Sequence, residues 1–176
     1  LTRAALHGTL AETYRALGVY DRALEQARIA LELLAEHKGE LHPDTVRARA
    51  SAGELCYQAG EIDAAEELLE RARAEAERVL GPDDRETLLV RMCLGVLHME
   101  REREEEALAA FEDLLVDVER VFGPDSQEVA SVLANLGKPL MNMERDAEAV
   151  APLERGLAIR RDVSGAEDVT TLRMQQ

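Results

Sequence analysis

Apolar residues recur along the chain three and four positions apart, the spacing that lines one face of an α-helix. Leu6, Leu10, Tyr14 and Leu17 make the first such stripe, and Leu24, Ala27, Leu31 and Leu34 the second. Val90, Leu94, Gly95 and Leu97 restate the first pattern later in the chain, and Leu108, Phe111, Leu115 and Val118 restate the second. Between stripes lie loops of glycine, proline and acidic or polar residues: 39–44 (GELHPD), 81–86 (GPDDRE), 123–128 (GPDSQE) and 165–168 (GAED). Glycine can take the left-handed conformation that ends a helix, a following proline prevents continuation, and acids favour the positive start of the next helix. Shorter breaks fall at Gly18 and Gly60, with Glu102 and Glu144 in the same column further on. The pattern predicts helices over 3–17, 20–37, 44–59, 62–80, 86–101, 104–122, 128–143 and 146–162, with a ninth beginning over about 167–175.

These helices come in pairs, and the pairs repeat. Gly39, Gly81, Gly123 and Gly165 are separated by the same interval each time (81−39 = 123−81 = 165−123 = 42). A fixed period of this size is the signature of a helical or other solenoid, in which each repeat packs on its neighbours. Ala23, Ala65, Ala107 and Ala149 keep the same phase, and Ala11, Gly53, Gly95 and Gly137 are always tiny. Such columns let two helices of a pair approach closely, so Ala65→Leu should overpack the crossing at a cost of roughly 1–3 kcal/mol. The units run over about 1–38, 39–80, 81–122 and 123–164, with 165–176 starting a fifth unit or a cap. All four belong to one domain, an all-α solenoid of antiparallel helix pairs.

Composition agrees with an all-helical chain. Aromatic residues are 3% of 176, with no Trp, while Ala, Leu, Glu and Arg, all good helix formers, dominate. The 36 acidic and 21 basic residues leave a net charge of −15, which repels phosphate backbones and anionic lipid, so neither nucleic acid nor a membrane is expected as partner. No run reaches the ~18–20 apolar residues that span a bilayer. Two cysteines without a pairing pattern fit a reducing compartment, and a cytoplasmic location is expected. The chain opens on Leu1, just before the first helix of a repeat, and is expected to be a fragment of a longer protein.

A helix pair with a tiny residue in its first helix, Gly near the turn and Ala early in the second helix resembles the tetratricopeptide repeat. The period and the Gly-Pro-Asp linkers are similar to the longer-helix variety of kinesin light chains and many bacterial signalling proteins. Residues 132–161 (VLANLGKPLMNMERDAEAVAPLERGLAIRR) and 81–87 (GPDDRET) carry the resemblance most clearly. His98 and Cys56 stand where an aromatic or large apolar residue is usual, Pro139 lies inside a first helix, and Glu102 and Glu144 replace the turn glycine. The resemblance implies a right-handed α-solenoid, a non-enzymatic interaction scaffold whose concave face, lined by first helices, accepts a peptide or helix of a protein partner, as the recruitment module of a larger signalling protein. Mapped onto this chain, the groove would centre on Tyr57, Leu89, Met92, Cys93, Val96, Met99 and Met141, with Arg47, Asn135 and Lys138 at its rim. Methionine repacks around varied ligands, which suits such a surface. Asn135 alone matches the asparagine that grips ligand backbone in peptide-binding members, because Thr9, Ser51 and Cys93 fill its column elsewhere.

Other chemistry finds little footing. Cys93 and His98 lie five residues apart, about 140° around a helix, and do not face each other as nucleophile and base. His98 is expected to be a satisfied, half-buried or buried imidazole. No His-x3-His, Cys-x2-Cys or EF-hand spacing points to a metal, no phosphate loop or nucleophile elbow occurs, and no cofactor is expected. The run Glu102, Glu104, Glu105 and Glu106 matches the dipole of a helix start. The second functional reading is self-association into a homo-oligomer, through a solenoid end that would leave Val163, Val169 and Leu172 open.

Overall fold

The structure, a computed structural model, describes residues 2–164. Among these residues there are eight α-helices and no strand: α1 (Thr2–Ala16), α2 (Tyr20–Lys38), α3 (Pro43–Gln58), α4 (Ile62–Val79), α5 (Arg85–Glu100), α6 (Glu104–Phe122), α7 (Gln127–Asn142) and α8 (Asp146–Ser164). The boundaries read from the hydrophobic pattern agree with these to within two residues. The expected ninth helix, with Val169 and Leu172, lies outside the described residues, as does the side chain of Val163.

The helix starts obey one rule with three residue types. His42 Nδ1 accepts the Asp44 N–H at 3.1 Å, Asp84 Oδ1 accepts the Glu86 N–H at 2.9 Å, and Ser126 Oγ accepts the Val129 N–H at 3.2 Å. Each satisfies a backbone donor that the first helical turn leaves free. The three share one column of the repeat, so a single loop geometry recurs before α3, α5 and α7.

The turn inside each pair recurs as closely. Its first backbone N–H, of Gly18, Gly60, Glu102 or Glu144, reaches the carbonyl three residues back at 2.9–3.0 Å, and the next N–H reaches five residues back at 2.8–2.9 Å. This is the Schellman closure, which needs a left-handed residue at its centre. Gly18 and Gly60 have φ of 71° and 80°, and Glu102 and Glu144 follow them at 57° and 59°. Glutamate in place of glycine therefore leaves the turn unchanged and puts the strain on a side-chain-bearing residue. Pro139 and Pro152 likewise sit inside α7 and α8 without ending them.

The chain divides into two compact units between Leu97 and His98, inside α5. In the first, α1 packs on α2, α2 on α3 and α3 on α4, and one core runs from Ala11 through Ala27, Leu55 and Leu69 to Leu97. In the second, α6 packs on α7 and α7 on α8, around Phe111, Leu114, Val129, Val132 and Leu133. The tiny columns act as the pattern implies. A Cβ on Gly53 would lie 2.7 Å from Leu69 Cγ, and one on Gly137 would lie 2.5 Å from Leu153 Cδ2, the same crossing in two copies. Ala23, Ala65, Ala107 and Ala149 are all buried.

One feature of the first unit breaks the apolar rule. Arg49 on α3 has a side chain only 3% exposed, paired with Glu75 of α4 and with Glu40 of the preceding loop. Arg71 closes the square, at 2.9 Å from Glu75 Oε1 and 3.0 Å from Glu40 Oε2. Taking a guanidinium out of water is costly unless its donors are met, and here two carboxylates meet them. Arg155 of α8, in the column of Arg71, reaches back in the same way to Glu119 and to the Pro124 carbonyl at 2.8 Å.

Candidate functional site

The residues expected to form a groove all lie on first helices. On the first unit, Tyr57 of α3 and Leu89, Met92, Cys93 and Val96 of α5 are each half-buried: none is lost in the core and none stands fully in solvent. Tyr57 and Cys93 rest directly on the core cluster. Arg47 is exposed and lies 3.5 Å from Asp84, tying α3 to the cap of α5.

Carboxylates share this face. Glu12 and Arg15 pair on α1, with guanidinium nitrogens 3.0 and 2.6 Å from one carboxylate oxygen. Glu54 on α3 accepts a 3.3 Å hydrogen bond from the Gln58 amide and has no ion pair, and Glu86 at the start of α5 has none either. Burial raises the carboxyl pKa of Glu54 above its ordinary value, Arg15 offsets part of this, and Glu12 and Glu86 add to it. Burial also raises Glu86, with Asp84 adding to the shift and Arg47 and Arg85 opposing it. The Cys93 thiol is pushed up to about 12 by burial and then by Glu54 and Glu86. Such a thiol stays protonated at neutral pH and is a poor nucleophile.

On the second unit, Met99 is half-buried and Met141 is 53% exposed, the more open of the two. Asn135 is half-buried, and its amide is engaged locally. It donates to the Ser131 carbonyl at 3.2 Å and accepts from Lys138 Nζ at 3.2 Å. His98 is half-buried, with Nδ1 3.5 Å from Glu106 Oε2. Cys56 is fully buried, with Arg28 Nη2 3.7 Å from its sulfur.

Sequence reasoning left Glu54 unmarked and read Glu86 only as an acid at a helix start. Their signal lay in the columns: position 54 recurs as Glu12, Val96 and Lys138, so this face changes charge from copy to copy. Among the described residues no group of three or more His, Cys, Asp or Glu is placed to hold a metal ion. No described helix is long and apolar enough to cross a membrane.

Antiparallel helix pairs with tiny contact columns, recurring at a fixed interval, define a helical-repeat solenoid of the kind that serves as an interaction scaffold. The family description for the tetratricopeptide repeat matches residues 1–78, 53–115 and 84–162, and the chain belongs to that family. Solved structures share the fold. BtubC (BKLC) from P. vanneervenii matches at 21% identity and a TM-score of 0.79, over 94% of this chain and 66% of that one. A putative kinesin light chain of Podosopora anserina with nearly identical repeats matches at 21% identity and a TM-score of 0.80, over 98% of this chain and 82% of that one. The Rap conjugation gene regulator of the plasmid pLS20, in complex with the Phr* peptide, matches at 18% identity and a TM-score of 0.76, over 93% of this chain and 43% of that one. The chain thus spans just under two thirds of the BtubC chain and less than half of the Rap chain. No curated protein matches it.

Proposed function

We propose that the chain is a recruitment module whose first-helix face binds a peptide or helix of a partner protein, and that in the first unit this segment presents Lys or Arg between apolar side chains. One observation carries the reading: Glu54 and Glu86 are half-buried within electrostatic reach of Cys93 on the helix that carries Leu89, Met92 and Val96, and neither has an ion pair. Holding carboxylates out of water without a counterion is unfavourable, and a ligand cation relieves it while its apolar neighbours cover the methionine and valine. The Rap regulator, solved with a peptide, supports a peptide as the ligand class for this fold. On the second unit, Met141 with Met99 offers apolar contact, and Lys138 and Asn135 supply polar groups for ligand backbone or acidic side chains.

Fluorescence anisotropy with three peptide sets of equal apolar content, carrying Lys/Arg, Glu/Asp or Gln, tests the charge preference. The basic set should bind most tightly, weaken with salt, and lose affinity to both the Glu54→Gln/Glu86→Gln and the Met92→Asp/Val96→Asp variants. Equal binding by the Gln set would remove the charge preference and leave the apolar face. Unchanged binding by the Met92→Asp/Val96→Asp variant, with fold retained, would move the site off these helices.

A further inference from the structure

A cleft of about 550 Å³ opens on the first unit where α1 and α3 begin, lined by Thr2 and Ala5 of α1, Leu34 and Lys38 of α2 and Asp44 of α3. Leu34 is half-buried, Thr2 and Ala5 are small and exposed, and Lys38 pairs with Asp44. The ammonium and the carboxylate of the lining neutralise each other, so the cleft offers apolar contact without net charge, and its size leaves room for a large side chain. Its openness belongs to the first-helix face. The column of Ala5 recurs as Arg47, Leu89 and Ser131, and that of Thr2 as Asp44, Glu86 and Glu128, and all of these are exposed or half-buried. What differs is the side chain: Arg47, in the place of Ala5 on α3, reaches to 3.5 Å from Asp84 at the cap of α5, and Ala5 is too short to bridge in that way.

The cleft and Glu54 lie along one path. The starts of α1 and α3 meet at the cleft, and Glu12 and Arg15 further along α1 lie within electrostatic reach of Glu54 on α3, so the two helices run side by side in the same direction. Between these points the face carries Gly8, Thr9 and Ser51, and a Cβ on Gly8 would meet nothing within 4 Å. These small residues leave the path open. Glu12 is seven positions after Ala5 and Glu54 ten after Asp44, so at about 1.5 Å per helical residue the cleft lies roughly 10–15 Å from the Glu54 carboxylate. An extended chain covers that distance in roughly three to five residues, at about 3.3 Å each. Charge says what lies there: Glu12 is paired with Arg15 and Lys38 with Asp44, which leaves Glu54 as the carboxylate of this path that calls for a cation.

We propose that the cleft is a second subsite for the same ligand: an extended segment lies along α1 and α3 and seats a bulky apolar side chain against Leu34, roughly three to five residues from the Lys or Arg that meets Glu54. This deepens the reading of the first-helix face as a site for basic segments and rests on it. The spacing, and not the charge alone, then selects among basic partners.

Fluorescein-labelled peptides that carry Leu-Lys-Leu in glycine and serine flanks, with one phenylalanine moved to every flank position on either side, test it by anisotropy. Affinity should peak with the phenylalanine roughly three to five positions from the lysine, at about tenfold above the peptide with serine there. Ala5→Gln, which puts a longer neutral side chain at an exposed position of the cleft, should remove most of that gain and leave the serine peptide unchanged. Leu34→Gln, which makes the floor polar, should do the same, both variants being checked for fold by thermal melting. Glu54→Gln should weaken both peptides. The subsite is overturned by a phenylalanine that brings no gain or the same gain at every spacing, by a peak at the roughly seven to ten positions a helical ligand needs, or by a gain that survives Ala5→Gln. In each of these cases, binding that still falls with Glu54→Gln leaves the basic-segment reading standing. Peptides that bind Glu54→Gln as well as the wild-type chain remove that reading and the subsite with it.

Discussion

Replacing Glu102 and Glu144 by glycine should stabilise the second unit. Both sit at the centre of a Schellman turn with φ of 57° and 59°, where the equivalent residues in the first unit are Gly18 and Gly60. A side-chain-bearing residue in the left-handed region costs roughly 1–2 kcal/mol, because Cβ crowds the carbonyl that follows. Glycine removes that strain but leaves a freer unfolded chain, which offsets about 0.4–1 kcal/mol. Neither glutamate is in an ion pair and both are exposed, so no side-chain contact is given up. The net gain is about 0.5–1 kcal/mol per site, and the sites belong to different turns, so the double variant should gain about twice as much. For a chain of this size that is a rise of roughly 2–4 °C in Tm per kcal/mol. The reciprocal change, Gly60→Glu, should lower Tm by a similar amount. Calorimetry of the wild-type chain, the two single glycine variants, the double variant and Gly60→Glu checks both signs together. A Glu102→Gly chain that melts lower, or a Gly60→Glu chain that melts unchanged, would show that the left-handed turn carries no strain and that the reasoning is wrong.

Three further substitutions probe the packing and the charges. Arg49→Ala should cost about 3 kcal/mol in urea unfolding, at the low end for a broken buried ion pair because Arg71 still reaches Glu75. An Arg49→Met/Glu75→Met variant should recover most of that loss, and a double variant no better than Arg49→Ala would contradict an electrostatic origin. Thr87→Val should gain about 1 kcal/mol, since the Thr87 hydroxyl is buried without a hydrogen-bond partner and Val129 fills the same column at 0% exposure. Glu54→Gln should raise Tm at pH 7. Its folded pKa lies above the unfolded one, so the wild-type chain binds more protons when folded and loses stability as pH rises through that interval. The gain from Gln should therefore shrink as pH is lowered into the carboxylate range, and a gain that is constant with pH would refute the desolvation argument.

The helices were legible because each stripe is amphipathic and each boundary carries its own chemistry, so a pattern of period 3.6 broken by glycine and proline located all eight described helices. The tiny columns were legible for a related reason: at Gly53 and Gly137 a Cβ would lie within 3 Å of a leucine, so only glycine fits those crossings. Arg49 was not legible. Nothing local distinguishes a buried arginine from a solvated one, and its partners Glu40 and Glu75 lie 9 residues before it and 26 after it. Glu86 was hidden similarly, since an acid in the first turn of a helix reads as a dipole match until α1 and α3 are seen to bring Glu12 and Glu54 into electrostatic reach. The capping column was missed because His42, Asp84 and Ser126 perform one role with three side chains.

These differences separate what holds the fold from what is free to choose a partner. The columns at the helix crossings keep their residue size in every copy: Ala23, Ala65, Ala107 and Ala149 at one, Ala11, Gly53, Gly95 and Gly137 at the other. A change there meets a leucine or a backbone within van der Waals range and is penalised at once. The first-helix columns do not keep even their charge, running Glu12, Glu54, Val96 and Lys138 in one and Arg15, Tyr57, Met99 and Met141 in another. Their side chains are half-buried or exposed, so the fold tolerates the variation and does not dictate it. On the proposed first-helix binding face, selectivity for a partner resides in those columns. The most informative of them are the positions where the chain accepts a cost in isolation, and Glu54 and Glu86, desolvated without an ion pair and only partly offset by nearby arginines, are two such positions.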